Sequence, residues 1–293
     1  MTDKIAFITG ASRGIGAETA VALAKAGYKV AITARTLSEG ESHDHVGKIA
    51  PLPGSLEATA AAVTAVGGEA LCLRADILDE ESMIAAAEQA LAHFGRVDLL
   101  FNNAVYQGAG NQERLLDVTR EQLLAIYQGN VFTPLALIKT LLPAMETAGG
   151  GTIINMLSYT ATVDPPAPAD KGGWGYAYPS SKAAFGRMAG ALRVEHPDSG
   201  LRIFNMEPGT VVTEVMKAAG VAEEVLQRFK PCSPATIGAV VTWLAENEPR
   251  EEWHPKATLR APAIAKELGL LKVPSLLGAE LGTELGTELG AES

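Results

Sequence analysis

Tyr178 and Lys182 stand four residues apart in Tyr178-Pro179-Ser180-Ser181-Lys182, a spacing that sets a phenol and an ammonium on one face of a helix. Pro179 suits the first helical position, where its missing N–H would be unpaired anyway, and the alanine-rich run from Ala183 to Val194 continues the helix. The chemistry that such a pair can do is proton transfer. A phenol in water titrates near ~10, so acid/base work near neutrality needs a drop of about 3 units, roughly 4 kcal/mol, and a close ammonium can supply part of it. Taken alone the spacing is a weak signal, because solvated helix starts show it by chance.

The elements that would position this pair alternate along the chain. Lys4 to Thr9, Lys29 to Thr33, Ala70 to Arg74, Val97 to Phe101, Thr152 to Met156 and Arg202 to Met206 are short apolar runs that read as strands. Helical segments lie between them, the first from Ile15 to Ala26 with Gly27 as its stop. This order predicts a doubly wound, three-layer α/β/α fold around a mostly parallel sheet of about seven strands, in one domain over residues 1–275. Three segments exceed such a minimal unit: a polar insert at 37–55, a Pro/Gly-rich loop at 164–175, and an acidic tail at 276–293 that repeats Leu-Gly-x-Glu and is expected to be disordered. His43-Asp44-His45 in the insert reads as loop chemistry, and no metal is expected.

Composition bounds the partners. Of 293 residues, 47% are apolar and 20% charged, as in a packed globule, and the net charge of −10 argues against a nucleic-acid or anionic membrane surface. Two cysteines make neither a disulfide framework nor a metal quartet, and no long apolar run is present, so a cytoplasmic location is expected.

Thr9 to Gly16 reads Thr-Gly-Ala-Ser-Arg-Gly-Ile-Gly between the first strand and the first helix. Glycines at 10, 14 and 16 permit a tight turn and let backbone N–H groups approach a pyrophosphate at the positive end of the helix. Folds that take NAD place a carboxylate at the end of the second strand; here Ala34 stands there, followed by Arg35, whose guanidinium suits a 2′-phosphate. The expected cofactor is therefore NADP(H), with Arg13 helping from the glycine turn; NAD(H) is the alternative.

With the glycine turn, Asn102-Asn103-Ala104 and Tyr178-x-x-x-Lys182 in this order, residues 1 to about 245 resemble the short-chain dehydrogenase/reductase family. The resemblance implies a Rossmann-type sheet, a nicotinamide cofactor and hydride transfer between a carbonyl and an alcohol. It also implies a catalytic set of Asn130, Ser158, Tyr178 and Lys182: Ser158 donating to the substrate oxygen, Tyr178 moving its proton, Lys182 lowering the phenol and gripping the nicotinamide ribose, and Asn130 holding a water on a proton path. Pro134, four residues on, has no N–H for the Asn130 carbonyl, which is expected to be left free for that water. On the cofactor side the family pattern implies Gly10, Ser12, Arg13, Gly14, Ile15 and Gly16, then Asp76 and Ile77 at the adenine, and Asn103 and Ala104 at the ribose. Pro208, Gly209, Val211 and Thr213 are implied at the carboxamide.

Ser158 and Tyr178 are 20 positions apart, longer than the family usually shows, and the excess is the 164–175 loop. Pro165, Pro166 and Trp174 in it are expected to shape the substrate pocket with Val105 and Tyr106, and 214–230 to form a helical lid. Family analogy implies a homodimer, through the helices that carry Asn130 and Tyr178, or a homotetramer. The leading reading is an NADP(H)-dependent carbonyl reductase or alcohol dehydrogenase; the rivals are an NAD-dependent alcohol dehydrogenase and a non-catalytic NADP-binding sensor.

Overall fold

The computed structural model describes residues 3–45, 48–213, 231–248, 258–271 and 275; the expected lid at 214–230 and the tail at 276–293 lie outside them. Strand β1 (Lys4–Thr9) has five of its six residues buried, which requires cover on both faces. Successive side chains supply the two covers. Ala6 and Ile8 pack toward helices α1 (Gly14–Lys25), α2 (Leu56–Ala65), α7 (Pro234–Glu246) and α8 (Ala261–Glu267), whereas Phe7 packs toward α3 (Glu80–Phe94), α5 (Thr133–Thr147) and α6 (Ala177–Glu195).

Seven strands form the sheet between these layers, in the order β5 (Ala70–Arg74), β2 (Tyr28–Ala34), β1, β6 (Leu99–Asn102), β7 (Gly151–Met156), β8 (Leu201–Glu207) and β9 (Thr258–Arg260). All six pairings are parallel. The order reverses between β1 and β6, so the crevice at the carboxyl ends of these two strands is where a ligand is expected to bind. β1 delivers the glycine turn to that crevice and β6 delivers Asn103.

Three asparagines run across the sheet just below the crevice. Asn102 is in register with Asn155, and Asn155 with Asn205. Asn102 Nδ2 donates to Asn155 Oδ1 (3.0 Å), Asn155 Nδ2 to Asn205 Oδ1 (3.4 Å), and Asn205 Nδ2 to the Gly186 carbonyl of α6 (2.8 Å). All three are buried, so the row ties strands β6, β7 and β8 to the helix that carries Tyr178 and Lys182.

The structure moves some boundaries. Helix α6 begins at Ala177 rather than at Pro179, with Tyr176 at its N-cap. Pro179 is then the third helical residue, still among the first four whose N–H groups have no helical acceptor, so the proline is tolerated. The fourth strand starts at Leu99, two residues later than its apolar pattern suggests, because Val97 and Asp98 turn into it: Asp98 accepts the Ile5 N–H (2.8 Å) through its side chain. The 37–55 insert is more than a loop, since β3 (Ser42–His45) and β4 (Lys48–Pro51) pair antiparallel within it.

Helix α4 (Arg120–Tyr127) opens on a capping box between Thr119 and Gln122 and runs into a π turn, Gln128–Phe132, before α5. There the Thr133 N–H bonds to the Gln128 carbonyl, five residues back. The extra residue per turn lies just before Pro134, where the missing N–H breaks the regular ladder, and Asn130 sits inside it. Among the described residues, no helix is long and apolar enough to cross a membrane.

Candidate active site and cofactor cleft

A cavity of about 540 Å³ occupies the crevice and runs from Arg35 at one end to Tyr178 and Lys182 at the other. Gly10, Ser12, Arg13, Gly14, Ile15, Asp76, Ile77, Asn103, Ala104, Pro208, Gly209, Val211 and Thr213 line it between those ends. Of the residues expected at a cofactor, Gly16 alone is missing from the wall. Its place is behind the turn, where a Cβ would lie 2.3 Å from the Gly10 carbonyl oxygen and 2.8 Å from Asn103 Nδ2. Gly16 therefore serves the close approach of helix to strand, and Gly10 serves the turn, at φ 69° with a Cβ clash against Ala104 Cα at 2.9 Å. A cradle in which both Cβ positions are taken, opening at a helix N-terminus, fits a dinucleotide pyrophosphate.

Asn103 has a second task that the sequence did not suggest. Its Nδ2 donates to the Thr9 and Gly10 carbonyls (2.9 and 3.2 Å), and its N–H and that of Ala104 both donate to Thr9 Oγ1 (3.0 and 2.9 Å). The Asn-Asn-Ala segment thus clamps the start of the glycine turn. Asp76 is held by its own loop: its Oδ1 accepts the Leu78 N–H (2.9 Å) and its N–H donates to Ser82 Oγ (3.0 Å).

At the catalytic end, Ser158 caps the short 3₁₀ turn Tyr159–Ala161, and its hydroxyl bonds with Thr160 Oγ1 (2.9 Å). It also hydrogen-bonds to the Tyr178 phenol, which draws the phenol pKa down, but burial outweighs this and leaves Tyr178 above its ordinary value. Lys182 was expected to lower it. Instead the ammonium, 2% exposed, donates to the Met156 carbonyl (2.8 Å), and burial pulls its own pKa down to about 7. The same dry pocket disfavours both charged forms, the phenolate and the ammonium, so the structure as it stands does not show the expected activation.

Asn130 is 1% exposed and is absent from the cavity wall. Its Oδ1 accepts the Tyr106 N–H (2.9 Å), and its Nδ2 donates to Ser181 Oγ (3.0 Å), which in turn donates to the Tyr178 carbonyl (2.7 Å). The side chain braces the wall at Tyr106 against the catalytic helix, and Ser181 is the partner that sequence reasoning passed over. Its only signal was its position, one residue before Lys182 on the inner face of α6.

The 164–175 loop does not reach the cavity as expected: Val105 and Tyr106 line it, whereas Pro165, Pro166 and Trp174 do not. Arg114 pairs with Asp170 (2.9 Å), Gly175 lies so close to the Glu113 carbonyl that a Cβ would sit 2.0 Å from it, and Trp174 meets Tyr159 edge to face at 6.5 Å. The first two contacts tie the loop to Glu113 and Arg114, and the third sets Trp174 against the residue that follows Ser158. At the other end, Arg13, itself part of the cavity wall, is tied to the insert, with Nε donating to the Pro53 carbonyl (2.9 Å).

Comparisons with known proteins agree with this geometry. The family model described as short chain dehydrogenase matches residues 4–224. An uncharacterized oxidoreductase of Methylorubrum extorquens is 31% identical over 256 residues, 84% of this chain and 92% of that protein. Among solved structures, a metagenomic short-chain oxidoreductase in complex with NADP superposes with a TM-score of 0.65 at 26% identity, covering 88% of this chain and 94% of that one. A 7α-hydroxysteroid dehydrogenase complexed with NADH and 7-oxo glycochenodeoxycholic acid does so at 0.69 and 26%, covering 88% and 93%. A parallel seven-stranded sheet that reverses between β1 and β6, a glycine cradle at that reversal, and a tyrosine and lysine one helical turn apart at its far end identify the chain as an oxidoreductase of the short-chain dehydrogenase/reductase family.

Proposed function

We propose that the protein interconverts a secondary alcohol and a carbonyl compound with NADP(H), and that Tyr178 is the general acid/base. The observation that carries this reading is one continuous cavity with Arg35 and no carboxylate on the strand end at Ala34, and with Tyr178, Lys182 and the Ser158-bonded phenol at the opposite end. A bound nicotinamide would supply or accept the hydride.

The chain's own residues would manage the proton. Ser158 is near enough to the Tyr178 phenol to draw its pKa down, so a substrate oxygen between the two hydroxyls would meet two O–H donors. In the reductive direction Tyr178 gives its proton to that oxygen; in the oxidative direction the phenolate takes it back. Lys182, one turn below, would hold the cofactor ribose and return the proton through a water held at the Asn130 carbonyl, which lies in the π turn ahead of Pro134. Met156, Leu157 and Val211 near Tyr178 favour an apolar substrate.

A second reading, with NAD(H), is supported by Asp44, which lines the same cavity beside Arg35. Fluorescence titration with NADPH and NADH decides between them: tighter NADH binding would overturn the first. A panel of ketones and alcohols assayed with both cofactors tests the substrate class, and the likeness to a hydroxysteroid dehydrogenase puts bulky alicyclic alcohols first. We also propose assembly as a homodimer or homotetramer through α5 and α6, on whose flank Leu124, Phe132 and Leu135 are exposed.

A further inference from the structure

The hairpin insert is rooted on the cofactor turn. The Arg13 guanidinium gives Nε to the Pro53 carbonyl (2.9 Å) and Nη2 to the Gly54 carbonyl (2.8 Å), the Leu52 carbonyl (3.3 Å) and Thr36 Oγ1 (3.2 Å). Gly54, at φ 95°, packs so close that a Cβ would lie 2.5 Å from the Ser12 carbonyl. A guanidinium forked onto three carbonyls and a hydroxyl is a fastening. The near side of the hairpin is held as well: Glu41 accepts the Ser38 N–H (2.9 Å) and pairs with Arg74 on β5.

Held in this way, the hairpin meets Arg35. Arg35 Nη2 donates to the main-chain carbonyl of Asp44 (3.2 Å), and both residues line the cofactor cavity. A free arginine at the end of a strand has many rotamers; one tethered to a fixed carbonyl has few, and less ordering is then needed when it meets an anion. The Asp44 carboxylate sits beside it, close enough for its charge to raise the pKa of the Tyr106 phenol across the cavity, after burial. A negative charge at that place opposes a phosphate.

We infer that the 37–55 insert sets cofactor selectivity: fastened by Arg13, it aims Arg35 at the adenosine 2′-position through the Asp44 carbonyl, while the Asp44 carboxylate weakens the grip on a 2′-phosphate. The inference rests on the NADP(H) reading. Arg13 is a positioning residue, Arg35 the ligand and Asp44 the counterweight.

The test is fluorescence titration of the full chain with NADPH and NADH at one salt concentration, with kcat measured at saturating cofactor. Replacing residues 41–51 by Gly-Ser-Gly-Ser should weaken NADPH about tenfold and NADH less than about twofold. Asp44→Asn, a surface change that leaves the backbone carbonyl in place, should tighten NADPH about threefold relative to NADH. Equal effects on both cofactors in both variants, or none in either, would overturn the inference. Arg35→Ala separates the two levels: if it removes the preference for NADPH but the replaced hairpin keeps it, the insert has no role; if the preference survives Arg35→Ala, the cofactor reading itself is wrong.

Discussion

The two ends of the cleft are built on opposite principles. At the adenosine end, charged side chains lie on or near the surface and are held by main-chain carbonyls of the 37–55 insert, as Arg13 and Arg35 are. At the catalytic end, the polar groups are buried and held by the shared frame: Lys182 by the Met156 carbonyl of β7, Asn130 by the Tyr106 N–H and Ser181. Surface charge on a hairpin can change sign or position at little cost in stability, whereas a buried lysine cannot move without leaving a polar group unpaired. On the proposed reading, binding preference and proton chemistry are thereby separable, each at its own end.

Mutations at each end should therefore move different constants. The largest effect is expected for Tyr178→Phe, which removes the proton donor and should lower kcat by about 10³-fold or more while the NADPH dissociation constant stays within about twofold. Retained turnover would end the assignment, and lost cofactor binding would break the separation of the ends. Ser158→Ala should follow, at about 10²-fold in kcat with cofactor affinity again unmoved.

A pH effect on stability is expected from the buried pair at the catalytic end. The Lys182 pKa is about 7 in the fold and 10.5 as a free side chain, so between these values the unfolded chain binds the extra proton. Stability from this group rises with pH from about 7 toward 10. Tyr178 is shifted upward, so its contribution falls once pH passes about 10, when the unfolded phenol ionises first. Tm measured from pH 6 to 10 should climb less steeply in Lys182→Met than in the natural chain; parallel curves would show that the buried ammonium is not the cause. The smallest expected effect is at the frame between the ends. Asn205→Leu breaks the link from the asparagine row to α6 and leaves buried amide and carbonyl groups unpaired, and chemical unfolding should show a loss of about 1–3 kcal/mol. If that row also positions the helix, kcat should fall together with stability while NADPH affinity is retained.

Much of the fold could be read along the chain, because the information was local. Strand β1 lies where the apolar run Lys4 to Thr9 ends in glycine, and β5 where Ala70 to Arg74 suggests it. The glycine turn and the Tyr178 helix announce themselves through residues whose backbone or side-chain requirements act over four to eight positions. The insert was legible only as an excess of length. Its hairpin pairs residues with weak alternation, and its hold on Arg13 uses carbonyl oxygens, which every residue has and no sequence pattern marks. The path of the 164–175 loop was illegible for a similar reason: its glycines and prolines signal irregular backbone, but the Arg114–Asp170 pair and the fit of Gly175 on Glu113 decide where it lies.

The sequence by itself determined the parallel α/β order, the glycine cradle, the candidate proton-transfer residues and the absence of an acid at Ala34, since each depends on residue type at short spacing. Tertiary structure decided what surrounds them. Burial, a sum over many distant neighbours, sets Lys182 near 7 and lifts Tyr178. Hydrogen bonds between residues 24 to 51 positions apart turn Asn130 into a brace, and the Pro53 carbonyl, 40 positions along the chain, fastens Arg13 to the insert.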